Sequence, residues 1–395
     1  MHIIESTALT CGAKIDKPYI YKTFFPSPYE KYVIFAPQNK IPSRDYWYFQ
    51  DVLNCIFPRL EELGIKILQI GPKDSINYNG VINLCGRITM SQMAYLIDKA
   101  TLFLGVDGFE AHVASAANIP MVCINSSTYT NNTGPYFGDE DKQVLLQSYA
   151  RVGNKKPSFN VNETPRSINL IKPEEIANAA FSLMGIVFKM PFETVFVGER
   201  YSHFIIQETL TNASNPLFNP ENLVEIRADV NFNAEGFVKQ LGYCKKSVII
   251  TDKPLDLNIL KAFKQHIQAV VFIISKGING AEFLSSVRAL GLKIALLSEM
   301  SQEDIDKIKI NYYEFGFINK WKEYTPDIIN ELKRDFDKIY YRSSKILSAD
   351  GKIFYSLAGY EQGVSLNNNF EYQKAIDSPN FWKNLDFFTL VKILD

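Results

Sequence analysis

The sequence predicts an α/β protein with two Rossmann-like parallel-sheet domains and an aromatic-rich C-terminal appendage. Three observations lead there. Short apolar runs alternate with helical stretches along most of the chain, the pattern of parallel strands joined by crossover helices. The alternation pauses over residues 191–220 and then restarts, which places a domain junction there. A chain of 395 residues that is 46% hydrophobic is long and apolar enough for two cores. The expected division is 1–190, 191–336 and 337–395.

Composition narrows the function classes. The net charge of −1 gives no general pull toward nucleic acid or an anionic membrane surface. No apolar run is long enough to span a bilayer, and the N-terminus does not read as a secretory signal. The five cysteines, at 11, 55, 85, 123 and 244, are scattered and mostly lie in apolar runs. They read as reduced thiols of a cytoplasmic protein, and no CxxC or Cys/His cluster suggests zinc.

Residues 2–13 suit a short helix, followed by an extended stretch through residue 28. Tyr32–Ala36 is a buried-strand run, and a loop holding Lys40 and Arg44 leads into an amphipathic helix over 46–63. Residues 65–70 form the next strand. Asp74 in the turn after it is either a ribose ligand or a plain turn aspartate. Residues 81–84 precede Gly86, and a helix covers 91–99.

Leu102–Val106, the turn Asp107-Gly108-Phe109-Glu110, the small-residue helix 111–117 and the apolar run 121–124 make a strand, turn, helix and strand. This stretch is the centre of the first half. Ligands of open α/β sheets sit at the carboxyl ends of strands, and a helix N-terminus there favours a phosphate. Gly108 lets the backbone approach a ligand, and His112 falls in the first helical turn. Asp139 and Asp141 form an Asp-x-Asp in a polar loop that ends no predicted strand, so they read as solvated acids and not as metal ligands. Residues 155–166 are a polar loop. Pro173 with Glu174 and Glu175 opens a helix that runs to about 184.

Past the junction, strands at 223–228, 247–251, 269–275 and 292–297 alternate with helices at 234–242, 257–266, 280–291 and 301–315. Ser301 with Asp304 signals the start of the last helix. In the tail, Asp350-Gly351 between apolar runs is a hairpin signal. The tail's aromatic residues, among them Tyr341, Tyr355, Phe370, Phe381, Trp382 and Phe388, are either a stacking platform for a sugar or a small core.

The stretch 102–135 resembles the ADP-heptose–lipopolysaccharide heptosyltransferases. That family carries Asp, Ser or Thr, Gly, two variable residues, then His, followed by small residues and a Pro. Here Asp107, His112 and Pro120 keep the spacing, and Thr133-Gly134-Pro135-Tyr136 is similar to the Thr-Gly-Pro-Tyr that closes the family's next loop. The glycine falls directly after Asp107, and Phe109 stands where the family has glycine. Asn83-Leu84-Cys85-Gly86 is similar to the family's Asn-Leu-x-Gly, and the resemblance extends over about residues 2–187.

What the resemblance implies is a GT-B fold whose donor half comes first, as a circular permutation of the family layout would give. Its implied donor-binding residues are Asp107, Gly108, His112, Gly86 and Gly134, with Lys40 or Arg44 neutralising a diphosphate. In the family a Gly-Asp pair after the first acceptor-domain strand supplies the catalytic base. No such pair follows 223–228, which leaves Asp229 and Glu235 as the available carboxylates. The implied activity is inverting, metal-independent transfer of a sugar from a nucleotide-sugar to a glycan or other hydroxyl acceptor, with no further cofactor. The alternative is a non-catalytic nucleotide-sugar-binding or scaffold protein with a degenerate catalytic half. A Rossmann-type epimerase or dehydrogenase is disfavoured, because no GxGxxG turn follows any predicted strand.

Overall fold

A computed structural model describes residues 1–151, 155–201, 203–210, 222–277, 279–366 and 371–394. They fall into two compact units, 1–193 and 194–394.

The first unit runs α1 (Ile3–Cys11), β1 (Tyr32–Ala36), α2 (Phe49–Glu62), β2 (Lys66–Gln69), β3 (Ile82–Asn83), α3 (Met90–Asp98), β4 (Leu102–Val106), α4 (Phe109–Ala117), β5 (Met121–Asn125), α5 (Thr130–Thr133), β6 (Gln143–Gln147) and α6 (Pro173–Leu183). Its six strands are all parallel, in the order β3-β2-β1-β4-β5-β6. That is a doubly wound sheet whose direction reverses between β1 and β4. Every residue of β1, β4 and β5 is buried, because helices cover both faces, and so these strands read as unbroken apolar runs. On one face α3 and α4 pack through Ala94, Leu96, Ile97, Ala111 and Ala114. On the other, Phe49 of α2 meets Phe35 edge-on with ring centroids 5.2 Å apart. Gly105 sits where the central strands crowd: a Cβ there would lie 2.4 Å from the Ala36 carbonyl oxygen.

The second unit contains β7 (Phe192–Val197, starting at the boundary), β8 (Ile205–Thr209), β9 (Leu223–Arg227), α7 (Ala234–Tyr243), β10 (Lys246–Thr251), α8 (Leu257–Ala262), β11 (Ile267–Ile274), α9 (Ala281–Ala289), β12 (Lys293–Ser298), α10 (Gln302–Ile308), β13 (Ile318–Lys320) and α11 (Pro326–Lys333). The tail adds β14 (Ile339–Ser343), β15 (Lys345–Ala349), β16 (Lys352–Tyr355), α12 (Ser356–Glu361), β17 (Gln373–Lys374), α13 (Pro379–Lys383) and β18 (Phe388–Ile393). The main sheet has the order β13-β12-β11-β10-β9-β8-β15-β16 and is parallel apart from the β15–β16 hairpin.

Strands β8 to β13 therefore step in one direction. Right-handed crossovers that all step one way put their helices on one face. Phe237, Leu241, Leu260, Phe283, Leu284 and Val287 of α7, α8 and α9 accordingly share one core with Ile226, Ile249, Val270, Phe272 and Leu296. On the opposite face Val248, Ile250, Val271, Ile273 and Leu297 are only half-buried.

Two expectations of the sequence change here. The stretch read as a junction carries β7 and β8 in its described part, whereas 202 and 211–221 lie outside the described residues. The tail is woven into the second unit: β15 pairs with β8, and β14 pairs with β17 and β18 in a small antiparallel arrangement. Its aromatic residues act as a core. Tyr341, Tyr355, Phe381 and Phe388 are fully buried together with Ile206 of β8 and Val224 of β9. Phe370 lies outside the described residues. Asp350 and Gly351 form the hairpin turn with φ of 52° and 73°, the left-handed pair that joins twisted strands. None of the five cysteines forms a disulfide.

Candidate functional site

Strand β4 delivers Asp107 to the carboxyl end of the sheet, beside the reversal point between β1 and β4. The Asp107 N–H still donates to the Ile124 carbonyl at 3.1 Å, so the sheet fixes the start of the turn. The loop after β1 fixes the rest: Asn39 Nδ2 donates to the Asp107 carbonyl at 2.6 Å, and Arg44 Nη1 to the same oxygen at 3.1 Å.

The Asp107 carboxylate is buried. Its Oδ2 lies 3.1 Å from Arg44 Nη1, and its Oδ1 faces His112 Nε2 at 3.9 Å. Oδ1 accepts no hydrogen bond among the described residues. Burial pushes this carboxyl above its ordinary pKa, and Arg44 and His112 draw it back down. Burial pushes the His112 imidazole below its ordinary value, opposed by Asp107. The His112 side chain is 40% exposed.

Helix α4 opens on Gly108 with no side-chain cap, which leaves first-turn N–H groups available to a ligand. Gly108 has an extended backbone with φ −160°, so the position needs no left-handed residue. What it needs is space, since a Cβ there would lie 3.2 Å from Glu110 Oε2 and 3.3 Å from Asn39 Nδ2. A cavity of about 550 Å³ opens at this end of the sheet, with Asn39, Lys40, Asp74, Phe109 and Glu110 in its wall.

The structure thus brings Asp107, Gly108, His112, Arg44 and Lys40 around one turn and places the two cations differently. Arg44 turns inward to the buried Asp107, and the exposed Lys40 lines the cavity. The other candidate glycines have packing reasons. Gly86 has φ +67°, and a Cβ there would lie 2.6 Å from Lys73 Cβ. Gly134 closes α5; a Cβ would meet the Thr130 oxygen at 2.7 Å, and its carbonyl accepts from His2 Nε2 at 2.9 Å.

Asp229 and Glu235 lie in the second unit. Both Asp229 oxygens are held by Arg227, Nε to Oδ1 at 2.8 Å and Nη2 to Oδ2 at 2.6 Å. Glu235 is 73% exposed, and its ion pair with Lys239 at 2.8 Å holds its carboxyl low. Asp139 accepts from Asn118 Nδ2 at 2.6 Å and so helps to close the end of α4. Among the described residues no group of three or more His, Cys, Asp or Glu is placed to hold a metal ion, and no helix is long and apolar enough to cross a membrane. Asn39 is the site residue that the sequence reading passed over. Its signal was its place in the loop after a central strand, next to Lys40.

Residues 73–161 match the family model described as glycosyltransferase family 9 (heptosyltransferase). Lipopolysaccharide heptosyltransferase 3 of Escherichia coli is 42% identical over 48 residues, which are 12% of this chain and 14% of that relative. Solved structures also match, these two among them. A glycosyl transferase family 9 protein from Veillonella parvula is 16% identical, with 40% of this chain and 47% of that chain covered and a TM-score of 0.32. The ADP-heptose lps heptosyltransferase II of E. coli is 15% identical, with 46% and 50% covered and the same TM-score of 0.32. The chain spans about half the length of these solved relatives. The similarity to this family thus covers residues 73–161, the segment that holds the turn from Asp107 to His112.

Proposed function

We propose that the protein transfers a sugar from a nucleotide-sugar donor to a hydroxyl acceptor, with inversion and without a metal ion. The observation that carries this reading is the Arg44–Asp107–His112 cluster at the reversal point of the sheet, whose Asp107 and His112 lie inside the segment that matches family 9. In this reading the acceptor oxygen bonds to the anomeric carbon as the bond from that carbon to the diphosphate oxygen breaks. The acceptor proton passes to a base, and the nucleoside diphosphate leaves with the electron pair. The N–H groups of the first turn of α4, the His112 imidazole and the Lys40 ammonium stabilise the leaving charge. Arg44 pairs with the Asp107 carboxylate and holds the turn in place. The name of the E. coli relative makes ADP-heptose the first donor to test.

A second reading rests on the carboxylates of the second unit. Asp229 is engaged by Arg227 and Glu235 by Lys239, so neither stands as a ready base. In that reading the protein binds nucleotide-sugars without turning them over. The full chain, a panel of nucleotide-sugars and an assay for released nucleoside diphosphate separate the two. Release that depends on an added hydroxyl acceptor supports transfer. Binding without release supports the second reading, and absence of binding removes both.

A further inference from the structure

Phe109 stands in the wall of two cavities. One is the polar cavity beside Lys40. The other, about 530 Å³, is an open concavity bounded by the segment 18–21, by residues of α1, α3 and α4 and by Phe137, and it has a different chemistry. Ala94, Val113 and Ala116 form part of its wall, small side chains that leave room where larger ones would fill it. Tyr19, Tyr21 and Met90 join Phe109 in the lining, and these four large apolar residues are between 52% and 90% exposed. Besides the two tyrosines, His112 is the one titratable residue among the described lining residues. A surface keeps such a group of apolar side chains around a concavity where an apolar ligand covers them.

Its position supplies the rest of the argument. The cavity shares Phe109 with the polar cavity and has His112, one residue of the candidate donor turn, in its own wall. A group bound there lies next to whatever occupies that turn.

We propose that this second cavity takes the apolar part of the acceptor, an aryl or acyl chain carried on a hydroxyl compound. The proposal rests on the reading of the Asp107–His112 turn as the donor site. Lys40 and the first-turn N–H groups serve the charged donor, and the alanine-lined cavity serves the uncharged acceptor. The acceptor hydroxyl then points toward His112.

Isothermal titration of the full chain tests this with hexyl β-D-glucoside, methyl β-D-glucoside and ADP as probes. The hexyl compound is expected to bind about thirty-fold tighter or more, since its chain is removed from water. It is expected to bind with ADP present, because the two cavities adjoin and have only Phe109 in common among their described lining residues. Ser91→Phe fills the cavity from its wall and is expected to remove about ten-fold of the hexyl affinity while leaving ADP within about two-fold. Tyr19→Glu, at a rim position that is 90% exposed, is the second variant should Ser91→Phe melt early, and it should act in the same direction. Equal affinities for the two glucosides, hexyl binding that neither variant weakens, or competition between hexyl glucoside and ADP overturns the proposal. A hexyl preference without any ADP binding overturns the donor reading, and with it the acceptor role of this cavity.

Discussion

Asp107 has an arginine on one carboxylate oxygen and a half-exposed imidazole, too far for a hydrogen bond, opposite the other. That asymmetry lets single substitutions tell scaffold from ligand contact. His112→Ala is expected to weaken nucleoside diphosphate binding by about ten-fold to a hundred-fold, the worth of one hydrogen bond to a charged group. The melting temperature without ligand should barely move, because the ring is partly in water. Unchanged affinity with early melting would make His112 a structural residue. Arg44 and Lys40 should behave as opposites. Arg44→Ala leaves a buried carboxylate without its partner and should cost about 3 kcal/mol of stability, seen as a lower denaturation midpoint. Lys40→Ala should leave the midpoint alone and weaken nucleoside diphosphate binding by about ten-fold. The reverse pattern in denaturation and titration would swap the two roles.

Strand β8 carries the clearest consequence at the next scale. It lies under α7, and Glu208 on it is 2% exposed, with Gln240 as a hydrogen-bond partner and Oε2 without one among the described residues. Burial pushes this carboxyl from 4.5 up to about 7. An acid whose folded value lies above its unfolded value is held protonated by folding. Stability is therefore complete below pH 4.5, declines as pH rises from 4.5 to about 7, and is level beyond. The decline should reach roughly 3 kcal/mol at most. Glu208→Gln should abolish this slope and raise the melting temperature at pH 8; a slope that survives the substitution would place its origin elsewhere.

The same strand shows why the sequence reading was incomplete. Tyr32–Ala36 and Leu102–Val106 were legible because strands buried on both faces are written as apolar runs. In β8, Gln207, Glu208 and Thr209 are buried polar residues, so the strand reads as a loop. In β6, at a sheet edge, all five residues are half-buried and no strong run appears.

For the whole molecule, composition and alternation were enough to indicate two α/β units, because winding a parallel sheet forces strand and helix to take turns. The direction of winding was not legible. The helices α7, α8 and α9 have similar apolar faces whether the sheet steps one way or reverses. The candidate site was legible where spacing along one turn carries it, from Asp107 to His112. The contrast between the inward-turned Arg44 and the exposed Lys40 was not, because it depends on which carboxylate is buried beneath the loop. Charge neutralisation by side chains leads to a prediction for the full chain. Nucleoside diphosphate affinity in EDTA should match that in untreated buffer within about two-fold. A loss that magnesium or manganese restores would refute it.

The one-way stepping of β8 to β13 also sets an order in time. Each of these strands pairs with the next one along the chain, so each pairing closes a short loop. Strand β15 instead returns from far along the chain to place Lys345 opposite Ile205. The row from β9 to β12 should therefore zip early and β15 should dock late. In pulse-labelled hydrogen exchange the amides of β10 and β11 are expected to gain protection before those of β15, and protection of β15 first would refute this. During synthesis the outer edge of β8 stays open until β15 has been made, and in that interval a nascent chain presents an unpaired strand to its neighbours.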